Sequence, residues 1–394
     1  RDLVRVGELS RAVARADAAT LARPSASTIA CLSKLHPPPQ TQTPCPRVDI
    51  LPPPLAPPTH PLCNSLIEHI MNHKLPSSSA ADHAGWRYEH FMWVFQLDAG
   101  RARHSRAIDT LDVSAAFVPG RGALALVALI RDAFQGGIPP AVRPWFLGGR
   151  LIALKKDGDS PSSRRLRPIA VSSVIARLIS KCAAAAASHR FQRLFQPPKG
   201  RSDASRPQHQ TDGSPWPSQV GVCCRNGTEI ASHAISALLE SHPSFVDVAL
   251  DIRNAFNSVA RGAFLPIVAS HFPEMVPWVN SMYAEPTHLF VGGKPDKPST
   301  LITSARGTRQ GCPLGAQLFA LALHPHLCAL ARLVGENGLV IAYADDIHLI
   351  GSPATVGLAL SSLTQMSTPV EALSLDCRLS SLGLALSPGK TSIL

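Results

Sequence analysis

The segment LVIAYADDIHLIG, residues 339–351, constrains the fold of this chain more than any other. It contains two short apolar stretches around a tight turn at Ala344 and Asp345, which predicts a β-hairpin. The tip of this hairpin carries two adjacent carboxylates, Asp345 and Asp346. Like charges held this close repel each other unless a cation lies between them, so the pair indicates a divalent metal site.

A third carboxylate follows a separate predicted strand. Apolar side chains alternate with other residues over 246–252, and Asp251 stands near the end of this pattern. If the hairpin pairs beside this strand, Asp251 and Asp345 can bridge two metal ions. Hard oxygen ligands suit Mg²⁺, and two such ions about 3.5–4 Å apart stabilise both the attacking and the leaving oxygen of a phosphoryl transfer. The residues therefore predict a site for two Mg²⁺ ions, with Mn²⁺ as an alternative.

The composition predicts a folded, basic protein. A chain of 394 residues is long enough for two domains or one large lobed domain, and 45% hydrophobic residues exclude a wholly disordered or fibrous chain. The 38 lysines and arginines exceed the 27 acidic residues, so the formal net charge is +11. This charge favours a polyanionic partner, nucleic acid first and an anionic membrane surface second.

Two further features concern membranes and cysteines. No uninterrupted apolar run is long enough for a membrane span, which predicts a soluble protein. The nine cysteines contain no C-x-x-C pair, which argues against a disulfide framework and a zinc site and favours a reducing compartment. The chain opens at Arg1 without an initiator Met, which predicts a fragment or a piece of a longer polyprotein.

Proline-rich stretches divide the chain into five predicted segments. A helical segment at 1–36 precedes a semi-rigid linker at 37–63. A polar insertion loop at 196–218 separates the folded segments 64–195 and 219–394. We find no internal repeat.

Three patterns predict helices. Apolar residues recur at helical spacing over 126–134. Asn226 with Glu229 three residues later resembles a capping box that opens a helix ending before Pro243. Pro313 suits the first turn of a long apolar helix. Together with the strands, these helices predict an α+β fold.

The motifs of the chain stand in the order found in reverse transcriptases, and the chain most closely resembles those of non-LTR retrotransposons. The resemblance covers roughly residues 64–394. The segments that carry it are KLPSSSAADHAGWRYEHF (74–91), GGIPPAVRPWFLGGRLIALKKDG (136–158), RRLRPIAVSSVIARLISK (164–181), QVGVCCRNGTEIASHAI (219–235), LDIRNAFNSV (250–259), GTRQGCPLG (307–315), IAYADDIHLIG (341–351) and GLALSPGKTSIL (383–394).

This resemblance implies a fold and an activity. The activity is that of an RNA-directed DNA polymerase, in which a primer 3′-OH attacks the α-phosphate of a dNTP. The fold is the α+β right hand of polymerases, with an antiparallel palm sheet that carries helices on one face. Residues 64–195 would form an N-terminal extension and fingers, and residues 219–394 the catalytic core of fingers and palm. RNA template, DNA primer and dNTP are the implied partners, no membrane is involved, and the nucleus is the implied location.

The resemblance also assigns roles near the carboxylates. Asp251 and Asp345 would hold both metal ions, with Asp346 as a weaker partner. Phe256 would stack under the incoming sugar and collide with a 2′-OH, which selects dNTPs over rNTPs. Lys390 would lie near the departing pyrophosphate and act as a general acid.

Five further residues would bind substrate. Gln310 and Gly311 would touch the nucleotide and the template, where glycine permits close backbone approach and glutamine bonds without adding charge. Lys155 and Arg167, with Arg164 as a helper, would bind triphosphate oxygens or the template.

The chain departs from the family pattern in one respect and leaves two alternatives open. It ends four residues after Lys390, so the thumb is predicted to be absent and template–primer binding to be weak. One alternative is a catalytically idle module that binds nucleic acid or a partner. The other is an RNA-dependent RNA polymerase, which shares the carboxylates but must admit the 2′-OH that Phe256 would exclude.

Overall fold

In a computed structural model, the chain folds into two β-sheets and a set of packed helices. The structure describes residues 21–38, 62–71, 75, 79–93, 121–155, 166–196, 216–292, 299–364 and 378–394. Up to residue 196 it contains α1 (Ala26–Lys34), α2 (Asn64–His69), α3 (Arg121–Phe134), α4 (Arg143–Phe146), β1 (Gly149–Lys155), β2 (Leu166–Ser172) and α5 (Val174–Phe195).

The elements after residue 216 complete both sheets. They are β3 (Ser218–Gln219), α6 (Gly227–Ser241), β4 (Val246–Leu250), α7 (Ala255–Ser258), α8 (Arg261–His271), α9 (Val276–Tyr283), β5 (Thr287–Val291), β6 (Thr300–Ser304), α10 (Gly315–Val334), β7 (Leu339–Tyr343), β8 (Asp346–Gly351), α11 (Pro353–Thr364) and β9 (Ser392–Ile393). Short 3₁₀ turns lie at Pro273–Met275 and Leu379–Leu382.

The smaller sheet has four strands in the order β2-β1-β5-β6. β1 and β2 are antiparallel, with Gly149 opposite Ser172 and Lys155 opposite Leu166. β5 pairs with β1 in parallel and with β6 antiparallel. Two of the three basic positions predicted to bind substrate, Lys155 and Arg167, therefore lie at the same end of one strand pair.

The larger sheet has five strands in the order β3-β7-β8-β4-β9. β7 and β8 form the predicted hairpin, and β8 lies antiparallel to β4, the strand predicted over 246–252. The edge strand β3 pairs with β7 in parallel, whereas β9 pairs with β4 antiparallel. The hairpin and the separate strand are thus neighbours, as the metal-site hypothesis requires.

Helices cover both faces of the five-stranded sheet, so the prediction of helices on one face is wrong. Alternate residues of a strand point to the same side, and Ile341 and Ile350 therefore share the face of Asp346. Ile341 and Ile350 pack against α6. Val340 and Ala342 point to the other face and belong to the main core with α10. The reason is that β7 is apolar on both faces rather than on one.

The predicted helices are present, with one correction at a helix start. α3, α6 and α10 cover the three predicted stretches, although α10 begins at Gly315, two residues after Pro313. The capping box is wrong, because Asn226 adopts a left-handed conformation with φ 55° and its side chain makes no capping hydrogen bond. The seven cysteines within the described residues are free thiols.

Among the described residues, α10 is the one helix long and apolar enough to cross a membrane. His324, His326 and Arg332 interrupt its apolar sequence, but the mean hydropathy of the helix is still high enough for a membrane span. In the fold, 78% of the apolar stretch is buried inside the protein. A helix that is apolar on all sides suits a buried core position, and α10 packs against α8, α11 and β7.

Two buried arginines join the loops around these sheets. Arg309, 2% exposed, donates hydrogen bonds to Leu147 O, Ser172 Oγ and Thr287 Oγ1. Arg261, 4% exposed, sits at the start of α8. Its guanidinium donates to the carbonyl oxygens of Tyr283, Glu285, Ser304, Arg306 and Gly307. These contacts fix the segment 304–309 that leads into the GTRQGCPLG motif.

Candidate active site

Three carboxylates meet at one end of the five-stranded sheet. Tyr343 pairs with Asp346 across the hairpin, so Ala344 and Asp345 form the two-residue turn. Leu250 pairs with Ile347, which places the next residue, Asp251, beside the hairpin tip. The structure therefore brings together the three acidic residues that the sequence singles out.

The electrostatics of Asp345 report this proximity. Burial raises the pKa of the Asp345 carboxyl above its ordinary value, and the nearby charges of Asp346 and Asp251 raise it further. Arg167 acts in the opposite direction and lowers this pKa. Asp345 is thus a crowded carboxylate whose ionised form the fold disfavours, and Arg167 of the other sheet faces it closely enough to offset part of the repulsion.

Lys390 pairs with one of these carboxylates. Its Nζ donates to Asp251 Oδ1 at 2.9 Å and to Oδ2 at 3.1 Å. The chain leading to Lys390 runs along the Asp251 segment, since Ser387 N donates to Asp251 O at 2.8 Å and Leu386 bridges Ile252. The predicted general acid therefore lies inside the carboxylate cluster as the counter-charge of Asp251.

The residues present fit a divalent cation by their chemistry. Asp251, Asp345 and Asp346 offer hard oxygen donors, and the pKa of Asp345 is raised first by burial and then by the charges of Asp346 and Asp251. The three carboxylates are neighbours, but within the described ranges no three His, Cys, Asp or Glu side chains are arranged closely enough to hold one metal ion as they stand. In this arrangement the positive charge paired with Asp251 is the ammonium group of Lys390.

The Gln310–Gly311 loop links the two sheets. Ala170 N of β2 donates to Gln310 O at 2.8 Å, while Thr308 N donates to Phe256 O at 2.7 Å. Gly311 has φ 110°, and a Cβ there would lie 2.7 Å from Ala170 O. Glycine is therefore needed both for the backbone conformation and for the close approach to β2.

Phe256 follows the Asp251 strand on the short helix α7. Its ring packs on Phe319 of α10, with ring centroids 4.7 Å apart, and the side chain is half-buried. A left-handed turn at Asn254, φ 48°, precedes it, and Asn254 Nδ2 donates to Leu35 O at 2.9 Å. One side of the Phe256 ring is thus fixed by the core while part of the ring stays accessible.

Two of the three basic residues predicted to bind phosphate lie within the described part of the chain. Arg167 is exposed on β2 opposite Leu154, on the side from which it lowers the pKa of Asp345. Lys155 is exposed at the end of β1. Arg164 lies outside the described residues.

Two polar contacts in the five-stranded sheet, one of them at the turn before Asp345, were not predicted from the sequence. Asp247 is 1% exposed and accepts a hydrogen bond from His348 Nδ1 at 2.9 Å, which raises the pKa of His348. In the strand pattern, Asp247 is an ordinary alternate residue. Gln219 is fully buried and hydrogen-bonds the turn at Ala344. No local spacing signals either contact, because each joins residues about a hundred or more positions apart.

Comparison with known proteins gives a family and two relatives. A family model described as "Reverse transcriptase (RNA-dependent DNA polymerase)" matches residues 154–394, which include all three carboxylates. The "Retrovirus-related Pol polyprotein from type-1 retrotransposable element R2" of Popillia japonica is 26% identical over 235 residues, 55% of this chain and 28% of that protein. The "Transposon TX1 uncharacterized 149 kDa protein" of Xenopus laevis is 32% identical over 120 residues, 27% of this chain and 9% of that protein. The chain thus spans less than a third of either relative.

Solved structures of telomerase resemble the chain weakly. Apo telomerase from Candida tropicalis truncated from its C-terminal domain matches with a TM-score of 0.41 and 14% identity over 73% of this chain and 57% of that chain. Apo telomerase from the same organism matches with a TM-score of 0.42 and 13% identity over 73% of this chain and 51% of that chain. A likeness this weak carries no argument about the function of the chain.

Replacing Asp345 with Asn should stabilise the metal-free protein at neutral pH. A carboxyl whose pKa is raised on folding favours the folded state while it is protonated, and this contribution is lost as the pH rises through the folded pKa. The free energy of unfolding of Asp345→Asn should therefore exceed that of the parent at pH 7, and the difference should shrink toward pH 4. Urea unfolding in the presence of EDTA measures both.

The matched control is Asp132→Asn on the exposed side of α3. It should change the free energy of unfolding by less than about 0.5 kcal/mol at either pH. A less stable Asp345→Asn variant at pH 7 would contradict the crowding of this carboxylate.

Proposed function

The chain belongs to the reverse transcriptase (RNA-dependent DNA polymerase) family, whose model matches more than half of it, and we propose that it is the catalytic part of an RNA-directed DNA polymerase of a non-LTR retrotransposon. The observation that carries the proposal is the meeting of Asp251, Asp345 and Asp346 beside Arg167 of the other sheet. The R2 relative is a retrotransposon polyprotein by name, which supports the proposed origin from a retrotransposon.

The two sheets would take the two structural roles of a right-hand polymerase. The five-stranded sheet, with the carboxylates at one end, would be the palm. The four-stranded sheet, which carries Lys155 and Arg167, would belong to the fingers. The loop at Gln310 and Gly311 is hydrogen-bonded to β2 and continuous with the segment bonded to Phe256, so it would lie where nucleotide and template meet.

The family generally uses divalent metal ions. We propose that Asp251 and Asp345 hold two Mg²⁺ ions, with Asp346 as an adjacent partner and Mn²⁺ as a substitute. Bound Mg²⁺ would supply positive charge that stabilises the oxygens of the transferring phosphoryl group.

The chain's own residues would position the substrates. The primer 3′-OH oxygen attacks the α-phosphorus of the dNTP, and the bond to the pyrophosphate oxygen breaks. The fork of Arg167 and the ammonium of Lys155 suit the phosphate oxygens. Lys390 Nζ, displaced from Asp251, would hold a proton that can pass to the leaving pyrophosphate.

Mg²⁺-dependent extension of a labelled DNA primer on an RNA template tests the activity. At low salt the parent protein should add dNTPs, whereas Asp345→Asn should lose at least about 10³-fold in rate, because a neutral amide no longer offers a charged oxygen ligand. Thermal unfolding of the same samples should show that the variant is folded.

The control for this experiment is Asp247→Asn. Asp247→Asn replaces a carboxylate with an amide, as Asp345→Asn does. Asp247 lies on the same sheet face as Asp251 and contacts His348. The control should extend the primer within about threefold of the parent. No extension by the folded parent on RNA templates would contradict the proposed polymerase and favour a catalytically idle nucleic-acid-binding module.

Substitution of Phe256 tests whether the product is DNA rather than RNA. If its accessible ring excludes a 2′-OH, Phe256→Ala should raise the rNTP-to-dNTP ratio of kcat/KM by about tenfold or more, since the steric clash disappears. Single-nucleotide incorporation with dGTP and GTP measures this ratio.

Phe290→Ala is the matched control, because Phe290 is a half-buried phenylalanine of β5 that stacks on Trp145. It should leave the ratio unchanged. An unchanged ratio in Phe256→Ala would remove Phe256 from the gate, and efficient rNTP use by the parent would instead indicate an RNA polymerase.

A further inference from the structure

The turn that carries Asp345 is held by a segment more than a hundred residues earlier in the chain. β3 lies parallel to β7, with Gln219 opposite Ala342, and Val220 N donates to Ala342 O at 2.8 Å. This pairing brings residues 219–221 alongside the end of the hairpin. The contact joins the edge of the sheet directly to the catalytic turn.

Gln219 bonds both backbone groups of one turn residue. Its Oε1 accepts from Ala344 N at 2.9 Å and from Gly221 N at 3.1 Å, and its Nε2 donates to Ala344 O at 3.0 Å. The side chain is fully buried. A buried glutamine that bonds the N–H and the C=O of the same residue fixes the orientation of the two peptide units on either side of it.

Gly221 lies against the same turn. A Cβ at Gly221 would come within 2.3 Å of Ala344 N and 2.7 Å of Tyr343 C. Both are backbone atoms, so neither can move aside as a flexible side chain does. The absence of a side chain at Gly221 therefore sets how closely the two segments approach.

The strand pairing of the hairpin is separate from these contacts. The β7–β8 ladder runs from Leu339 opposite Ile350 to Tyr343 opposite Asp346. The turn, however, contains Ala344 at φ 58°, a left-handed conformation that residues other than glycine rarely adopt. The next residue is Asp345, which its carboxylate neighbours repel. An unsupported turn of this kind would change conformation to separate the charges.

We propose that Gln219 and Gly221 form a turn clamp that positions the Asp345 carboxylate. Gln219 is a positioning residue, since its hydrogen bonds reach the backbone of the turn. The clamp holds the left-handed Ala344 and keeps Asp345 beside Asp251 against their repulsion. Its role in catalysis rests on the proposed function, in which Asp345 is a metal ligand.

Hydrogen exchange tests the clamp without any activity. Gln219→Met keeps the shape of the side chain but removes the partners of the Ala344 N–H. Exchange at the Ala344 amide should become at least about tenfold faster, because a protecting hydrogen bond is lost. Exchange at Val340 and Ala342, which lie within the strand, should stay within about threefold of the parent. Exchange by mass spectrometry or NMR with residue resolution measures all three.

Metal binding and kinetics then test the link to Asp345. In Gln219→Met, the Kd for Mn²⁺, measured by electron paramagnetic resonance, should rise about tenfold, since a misplaced carboxylate is a poorer ligand. The kcat of primer extension should fall about 10- to 100-fold while the KM for dNTP stays within about threefold. A purely structural loss would instead lower the fraction of active protein without changing the Kd for Mn²⁺.

The chain offers a matched control and two further variants. Gln196→Met makes the same change at a buried glutamine at the end of α5, where Oε1 accepts from Gln192, and it should move none of these readouts. Gln219→Glu keeps an acceptor for Ala344 N–H, so exchange at this amide should stay closer to the parent than in Gln219→Met. Gly221→Ala should reproduce the loss of Mn²⁺ affinity by pushing the turn away.

The outcomes separate the clamp from the proposed function. If the parent does not extend primers, the polymerase proposal fails, but exchange at Ala344 and Mn²⁺ binding still decide the clamp. Parent-like exchange at Ala344, or a parent-like Kd for Mn²⁺, in folded Gln219→Met would overturn it.

Discussion

Repulsion between Asp251, Asp345 and Asp346 is the constraint around which the rest of this structure is arranged. Strand pairing leaves the chain no alternative to placing them together, because Asp251 follows β4 and the other two lie at the tip of the adjacent hairpin. Burial is the main cause of the raised pKa of Asp345, and the charges of Asp346 and Asp251 raise it further. Lys390 offsets the repulsion at Asp251, and Arg167 offsets it at Asp345. A cation bound among these carboxylates would offset their repulsion.

Two buried arginines hold the loops around the two sheets without adding to this repulsion between carboxylates. Arg261 and Arg309 are charged groups in the core, and burial lowers the pKa of Arg309. Carbonyl and hydroxyl oxygens accept hydrogen bonds from both guanidinium groups, which limits the penalty of burying the charge, while the buried Nε of Arg309 makes no hydrogen bond to the described residues. In return, these contacts fix the loop that carries Gln310 between the two sheets. Rigid loops of this kind position substrate better than mobile ones.

Local pattern explains most of what could be predicted from the sequence. The hairpin over 339–351 follows from two apolar stretches around a turn, and the strand before Asp251 follows from alternation of side chains. α3 follows from helical spacing, and α10 from an apolar run after Pro313. These patterns leave open whether the hairpin pairs beside the strand, and the strand order shows that it does. Patterns of this kind depend only on neighbours in sequence, so they survive folding unchanged.

The remainder depends on contacts between distant residues. The pairing of Lys390 with Asp251, the burial of Asp247 against His348 and the grip of Gln219 on Ala344 each join residues about a hundred or more positions apart. Local signals also failed where tertiary packing overrode them. Asn226 has the residue type of a helix cap but a left-handed backbone. The resemblance to a family implied helices on one face of the sheet, and this is wrong because β7 is buried on both faces.

The most direct test of the central claim is diffraction from crystals of the protein soaked in Mn²⁺. The anomalous difference map should show a peak between the carboxylate oxygens of Asp251 and Asp345, with Lys390 Nζ moved away from Asp251. A map without a peak at these carboxylates, in which Lys390 still pairs with Asp251, would contradict the assignment of this cluster as a metal site.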